Sequence, residues 1–128
     1  MLEHIYGKAY TSRMIEPEFF KQLSDETRLR CLMLMLAEGE LCVCEFIHAL
    51  DLSQPKISRH LAHLRKSGVV QDRRDGQWIH YRLHDALPQW AVDVLNAVSA
   101  STDKTKPYIS DMQTLKDMPN RPGASCCA

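Results

Sequence analysis

Ser53-Gln54-Pro55-Lys56-Ile57-Ser58-Arg59-His60-Leu61-Ala62-His63-Leu64-Arg65-Lys66, followed after Ser67-Gly68 by Val69-Val70-Gln71-Asp72-Arg73-Arg74-Asp75-Gly76-Gln77-Trp78-Ile79-His80-Tyr81-Arg82-Leu83, decides how this chain folds. Its first half has the period of a helix. At about 100° per residue from Ile57, Leu61 falls roughly 40° to one side and Leu64 roughly 20° to the other, while Lys56, Arg59, His63 and Lys66 lie on the far side. One face packs and the opposite face is basic. Ser53 is a good N-cap and Pro55 suits a first turn, so the backbone amides at this end point outward toward an anion. The second half switches to period two, and Asp75-Gly76 reads as a two-residue hairpin turn. Pairing Arg74 with Gln77 across that turn sets Val70 opposite Tyr81 on an inner face and leaves Arg73, Arg74 and Gln77 at the tip.

Upstream, Pro17 opens a short helix with Phe19, Phe20 and Leu23 on its apolar side. A second helix has Ser24 as its cap and Asp25 and Glu26 in its first turn, and runs through Arg28-Leu29-Arg30-Cys31-Leu32-Met33-Leu34-Met35-Leu36 to Gly39. Apolar on nearly all sides, it is the expected buried centre, and Cys31, Met33 and Met35 are packing atoms. A short third helix around Cys44 to Leu50 ends in the turn Asp51-Leu52-Ser53. Downstream, Pro88 opens a helix whose Leu87, Trp90, Ala91, Val94, Leu95 and Val98 recur at three- and four-residue steps. Residues 99–107 read as a polar linker, Tyr108 to Met118 as one more short helix, and 119–128 as a flexible tail ending in Cys126 and Cys127. The expected division is an N-terminal extension over 1–15, one domain over 16–100, and linker, short helix and tail over 101–128.

Three helices, a helix with a basic outer face and a β-hairpin tipped with arginines predict a mainly α winged helix-turn-helix. Residues 41–50 form the supporting helix and 54–66 the recognition helix, which enters the major groove with its N-terminal residues nearest the bases. Ser53, Gln54, Lys56, Ser58 and Arg59 are the candidates there, since Gln can read adenine and Arg or Lys can read guanine. His60 and His63 either reach phosphate or are surface histidines with no such role; Arg73 and Arg74 on the wing are expected to contact phosphate or enter a narrowed minor groove, with Gln77 a further DNA-binding candidate at its tip. The formal net charge of zero hides a segregation that agrees with this: residues 1–52 hold five Lys/Arg against nine Asp/Glu, residues 53–82 seven against two, and residues 83–128 four against five.

Other classes find less support. No run approaches the roughly 18 apolar residues of a membrane span, and the first residues lack the regions of a signal peptide, so a cytoplasmic protein without membrane contact is expected. Five cysteines, an odd number, read as thiols or ligands rather than a disulfide framework. No CxxC in a βαβ setting, cofactor fingerprint or catalytic triad is present, which argues against a thiol oxidoreductase and against any enzyme with a catalytic cofactor.

Three motifs in order, Glu40-Leu41-Cys42-Val43-Cys44-Glu45-Phe46, Ser53 to Leu61, and Arg73-Arg74-Asp75-Gly76-Gln77-Trp78-Ile79-His80-Tyr81-Arg82-Leu83, resemble the ArsR/SmtB transcriptional repressors, specifically their arsenic-responsive branch. The likeness covers about residues 16–98. It implies a homodimer on a palindromic stretch of double-stranded operator DNA, joined through the helices near 17–23 and 88–100. It also implies release from DNA when trivalent arsenic or antimony, as arsenite or antimonite, binds Cys42 and Cys44. The apolar stripe from Leu87 to Val98 agrees with self-association, since a monomer would leave it exposed.

Thiolates are soft ligands suited to such ions, and a helix N-terminus favours the thiolate form. On a regular helix, residues i and i+2 point about 200° apart, so chelation by both sulfurs is expected to require unwinding the first turn of the supporting helix. Ligand binding and the DNA-competent geometry then compete. Many members of the branch carry a third cysteine three residues after the second, where this chain has Ile47. His48, Cys126 and Cys127 are the candidates for the missing ligand. Zinc usually takes four ligands, and the last helix offers Asp93 but no histidine, so sensing of zinc, cadmium or thiol oxidation ranks second.

Overall fold

A computed structural model describes residues 15–121; positions 1–14 of the extension expected over 1–15, and the cysteines at 126 and 127, lie outside the described residues. The elements in chain order are α1 Glu16–Leu23, α2 Glu26–Glu38, β1 Leu41–Cys42, α3 Val43–Leu50, α4 Gln54–Ser67, β2 Val70–Asp75, β3 Trp78–Leu83, α5 Gln89–Thr102 and α6 Tyr108–Lys116. The strands form one antiparallel sheet in the order β1-β3-β2. No helix among the described residues is long and apolar enough to cross a membrane.

Local signals set most boundaries. Asp25, rather than the expected Ser24, caps α2: its carboxylate accepts the Arg28 amide at 3.0 Å, while the Ser24 hydroxyl donates to the Lys21 carbonyl at 2.7 Å. Between two adjacent cap formers, the charged one also complements the helix dipole. Phe19, Leu32, Leu34, Met35, Phe46, Ile57, Leu61, Leu64, Leu95 and Leu115 are fully buried and draw every helix into one core. Cys31 lies among them, and burial pushes its thiol up to about 12, so at neutral pH it is an uncharged packing atom.

The hairpin pairs Asp75 with Trp78, Asp72 with Tyr81 and Val70 with Leu83, so the turn is Gly76-Gln77, one residue later than the sequence pattern indicated. Gly76 has φ +66°, the conformation that glycine supplies cheaply at the first central position of a tight hairpin turn. Each residue's partner moves by two, which leaves every side chain on its original face. Val70 and Tyr81 accordingly stay inside, at 1% and 7% exposure.

The stretch expected as linker, short helix and tail is part of the core as far as it is described. α5 continues to Thr102, and α6 buries Asp111 and Leu115. Arg30 of α2 donates to both Asp111 oxygens, at 2.8 and 2.7 Å, which ties α6 to the central helix. Breaking a fully buried pair costs about 3–5 kcal/mol. With the Arg30 side chain 17% exposed, Asp111→Ala should lower the unfolding free energy in urea by about 2 kcal/mol, within a single transition; a separate early transition would show that α6 folds apart from the domain.

Candidate functional site

The recognition helix is built as its caps dictate. The Ser53 hydroxyl accepts the Lys56 amide at 3.4 Å, and Gly68, with φ +89°, closes the other end in the left-handed conformation. Ile57, Leu61 and Leu64 turn fully inward, leaving Gln54, Lys56, Arg59, His63 and Lys66 exposed, with Ser53 exposed at the cap and Ser58 half-buried. Arg73, Arg74 and Gln77 are exposed on the wing.

Ion pairing sorts these cations. Among the described residues Lys56, Arg59, Lys66 and Arg74 make no ion pair, whereas Arg65 pairs with Asp72 at 3.4 Å and Arg82 with Asp85 at 2.9 Å. Arg73 is held by Glu40 through Nε and Nη2, with a shortest approach of 2.7 Å. That guanidinium lowers the Glu40 carboxyl below its ordinary range. A phosphate approaching Arg73 would therefore have to displace a bidentate partner.

His60 does not join the outward set. It is 9% exposed, and its Nδ1 lies 3.7 Å from Asp25 Oδ2 with no hydrogen bond. The helical period already carried this signal, because His60 lies only about 60° from Ile57. Burial holds its imidazole below the ordinary value, an effect that Asp25 partly opposes.

The cysteine pair differs most from expectation. Residues 41–50 are not one helix: Leu41 and Cys42 form β1, paired with Tyr81 and His80 of the wing, and α3 begins only at Val43. Cys42 is the N-cap of α3, with extended backbone at φ −91° and ψ 164°, and it forms a capping box with Glu45. Cys44 sits in the first turn. One extended and one helical residue turn the two side chains together, and their Sγ atoms stand 2.7 Å apart. No unwinding is needed to bring both sulfurs to one ion.

The pair lines a cleft of about 420 Å³ together with Val43, Ile47, Ile79 and Tyr81 and with Gln54, Ser58, Gln77 and Trp78. Gln54, Ser58 and Gln77, which are expected to read DNA, thus line the same cleft as the two sulfurs. His48 is exposed on α3 and does not line it, and among the described residues no third histidine, cysteine or carboxylate completes a metal-holding cluster. A second cavity of about 270 Å³, lined in part by Arg30, Met33, Tyr108 and Asp111, contains no thiol, and its ion pair is internally satisfied.

Residues 25–72 match the family described as bacterial regulatory protein, arsR family. The chain is 52% identical over 107 residues to the arsenic resistance transcriptional regulator ArsR1 of Pseudomonas putida, covering 83% of this chain and 81% of that one. It is 52% identical over 85 residues to the arsenical resistance operon repressor of Escherichia coli, covering 66% and 73%. Among solved structures, HlyU from Vibrio cholerae superposes with a TM-score of 0.61 at 28% identity, over 80% of this chain and all of that one.

His60 makes the fold's stability depend on pH in a defined direction. Its folded value lies below the ordinary 6.5, so the unfolded chain takes up the proton first as pH falls. The contribution is complete above about pH 6.5 and is lost as pH drops from there through the folded value. Urea melts between pH 7.5 and 5 should show this decline, and His60→Gln should flatten it by up to ~1.4 kcal/mol per pH unit, the most that one group can give. An unchanged profile would exclude a buried neutral imidazole.

Proposed function

Because the chain belongs to the ArsR family of bacterial transcriptional regulators, we propose that it is a cytoplasmic homodimeric repressor that leaves its operator when trivalent arsenic or antimony, as arsenite or antimonite, binds Cys42 and Cys44. The observation that carries this reading is the convergence of the two sulfurs, 2.7 Å apart, in a cleft walled by Gln54, Ser58 and Gln77. A thiophilic ion needs that donor set, and the family relatives named for arsenic resistance supply the ion class.

The thiols join two elements that must be mutually placed for DNA binding. Cys42 belongs to the strand beside the wing, and Cys44 to the helix that supports α4. Holding one ion between them fixes their relative position, and Gln54, Ser58, Gln77 and Trp78, which line the same cleft, accommodate the occupant. DNA binding requires the same residues in groove-facing positions, so each state disfavours the other. Moving occupancy from 99:1 to 1:99 takes about 5.5 kcal/mol of differential affinity, a quantity within reach of two sulfur bonds. Either Cys126 or Cys127 is proposed as the third ligand, ahead of the exposed His48.

The homodimer rests on an aromatic cluster at the outer surface. Phe19, buried in α1, meets Trp90 of α5 edge-on at 5.1 Å, and Phe20 stacks on the same Trp90 at 6.3 Å while remaining 48% exposed. Together with Ile15, 45% exposed, this gives α1 and α5 an apolar face suited to a second copy. Two-fold pairing would set the recognition helices about 34–36 Å apart, one DNA turn, or a multiple of that.

Two measurements test the reading, both on DNA from upstream of the chain's own coding sequence. In a gel-shift titration Cys42→Ser and Cys44→Ser should bind as tightly as wild type and no longer be released by arsenite or antimonite; release of wild type by zinc or peroxide but not by arsenite replaces the metalloid reading. Arg59→Ala should weaken binding about tenfold or more with or without arsenite, as loss of a base-reading arginine costs ~1–3 kcal/mol; unchanged affinity would remove α4 from the major groove.

A further inference from the structure

Glu45 is the third residue of α3, and its side chain is 5% exposed, yet it carries a carboxylate. Both oxygens are engaged. Oε1 accepts the Cys42 amide at 2.8 Å, which sets the extended backbone of the first thiol, and Oε2 accepts Nε of Arg121 at 2.7 Å. The same guanidinium donates through Nη2 to Glu38 Oε1 at 2.8 Å. Glu38 is the last residue of α2, so Arg121 pins the two ends of the short segment 39–44 that contains both cysteines.

A buried carboxylate without a counterion carries a desolvation cost of several kcal/mol, which the structure relieves by moving the group toward water. As a carboxylate, Glu45 is held against the Cys42 amide by the cation that faces its other oxygen. Arg121 lies 76 positions away in sequence and reaches Glu45 because α6 is seated by Asp111 on Arg30 and by buried Leu115. The region beyond residue 72, which the family match does not include, thus supplies a part of the thiol site.

We propose that Arg121 is a positioning residue of the metalloid site: by neutralising Glu45 it fixes the Cys42 amide and so holds Cys42 in line with Cys44. The inference rests on the reading of Cys42 and Cys44 as the metalloid ligands. It concerns inducer affinity and not DNA affinity, because Arg121, Glu45 and Glu38 belong to neither α4 nor the wing.

The test uses the full chain, kept reduced with a phosphine, and arsenite as the probe, with binding followed by calorimetry and operator affinity measured in parallel without arsenite. Arg121→Ala should bind arsenite at least tenfold more weakly than wild type, with operator affinity within about twofold. Arg121→Lys, which keeps the charge, should recover part of the loss. The double variant Arg121→Ala with Glu45→Gln should recover most of it, since a neutral amide oxygen still accepts the Cys42 N–H and needs no counterion. Arsenite affinity unchanged in Arg121→Ala overturns the proposal, as does an equal loss of operator and arsenite binding that the double variant fails to restore. If wild type binds no arsenite, the assignment of Cys42 and Cys44 falls, and this inference falls with it; if wild type binds and Arg121→Ala binds equally, only the role of Arg121 is lost.

Discussion

β1 has two residues, and two residues cannot hold a strand without an edge to pair with. Leu41 and Cys42 are extended because β3 offers Tyr81 and His80 as antiparallel partners. That pairing determines the rest of the site. It stops α3 from starting two residues earlier, puts Cys42 at the cap rather than inside the helix, and turns its sulfur toward Cys44. It also makes the wing a three-stranded sheet whose third member is the thiol-bearing segment. A change at the sulfurs is therefore already a change at the wing, with no long relay through the core.

The second organising fact is the unequal distribution of counterions. Three arginines that link elements of the fold have carboxylate partners: Arg30 has Asp111, Arg121 has Glu45 and Glu38, Arg65 has Asp72. Those on the outer face of α4 and Arg74 on the wing have none among the described residues. A surface cation left unpaired retains its field for an external anion, whereas a paired one has largely spent it. A chain of zero formal charge can in this way present a strongly cationic face.

Much of this was legible in the residues, and the exceptions share a cause. Ser53, Pro55, Gly68 and the apolar period of Ile57, Leu61 and Leu64 are local signals, and α4 begins and ends within a residue of what they indicate. The hairpin was legible, but its register was displaced because a two-residue slip preserves the alternation that defined it. The strand at Leu41-Cys42 was missed because nothing local specifies it; its cause lies about forty positions downstream on β3. His60 was visible as an inward position and was overridden by its basic neighbours. The Arg121 clamp has no signature at all in sequence, since an arginine after a short helix is ordinary until the fold sets it against a buried carboxylate.

The Glu40–Arg73 pair has a consequence for how salt governs the encounter with DNA. A protein loses affinity with added salt according to the number of phosphates it neutralises, because each displaces condensed cations from the duplex. A guanidinium that arrives with its carboxylate attached delivers no net charge and displaces little of that cation atmosphere. On the proposed reading, the wing's most tightly bonded arginine would be nearly silent to ionic strength, and the steepness of the salt response would report on Lys56, Arg59, Lys66 and Arg74, unpaired among the described residues.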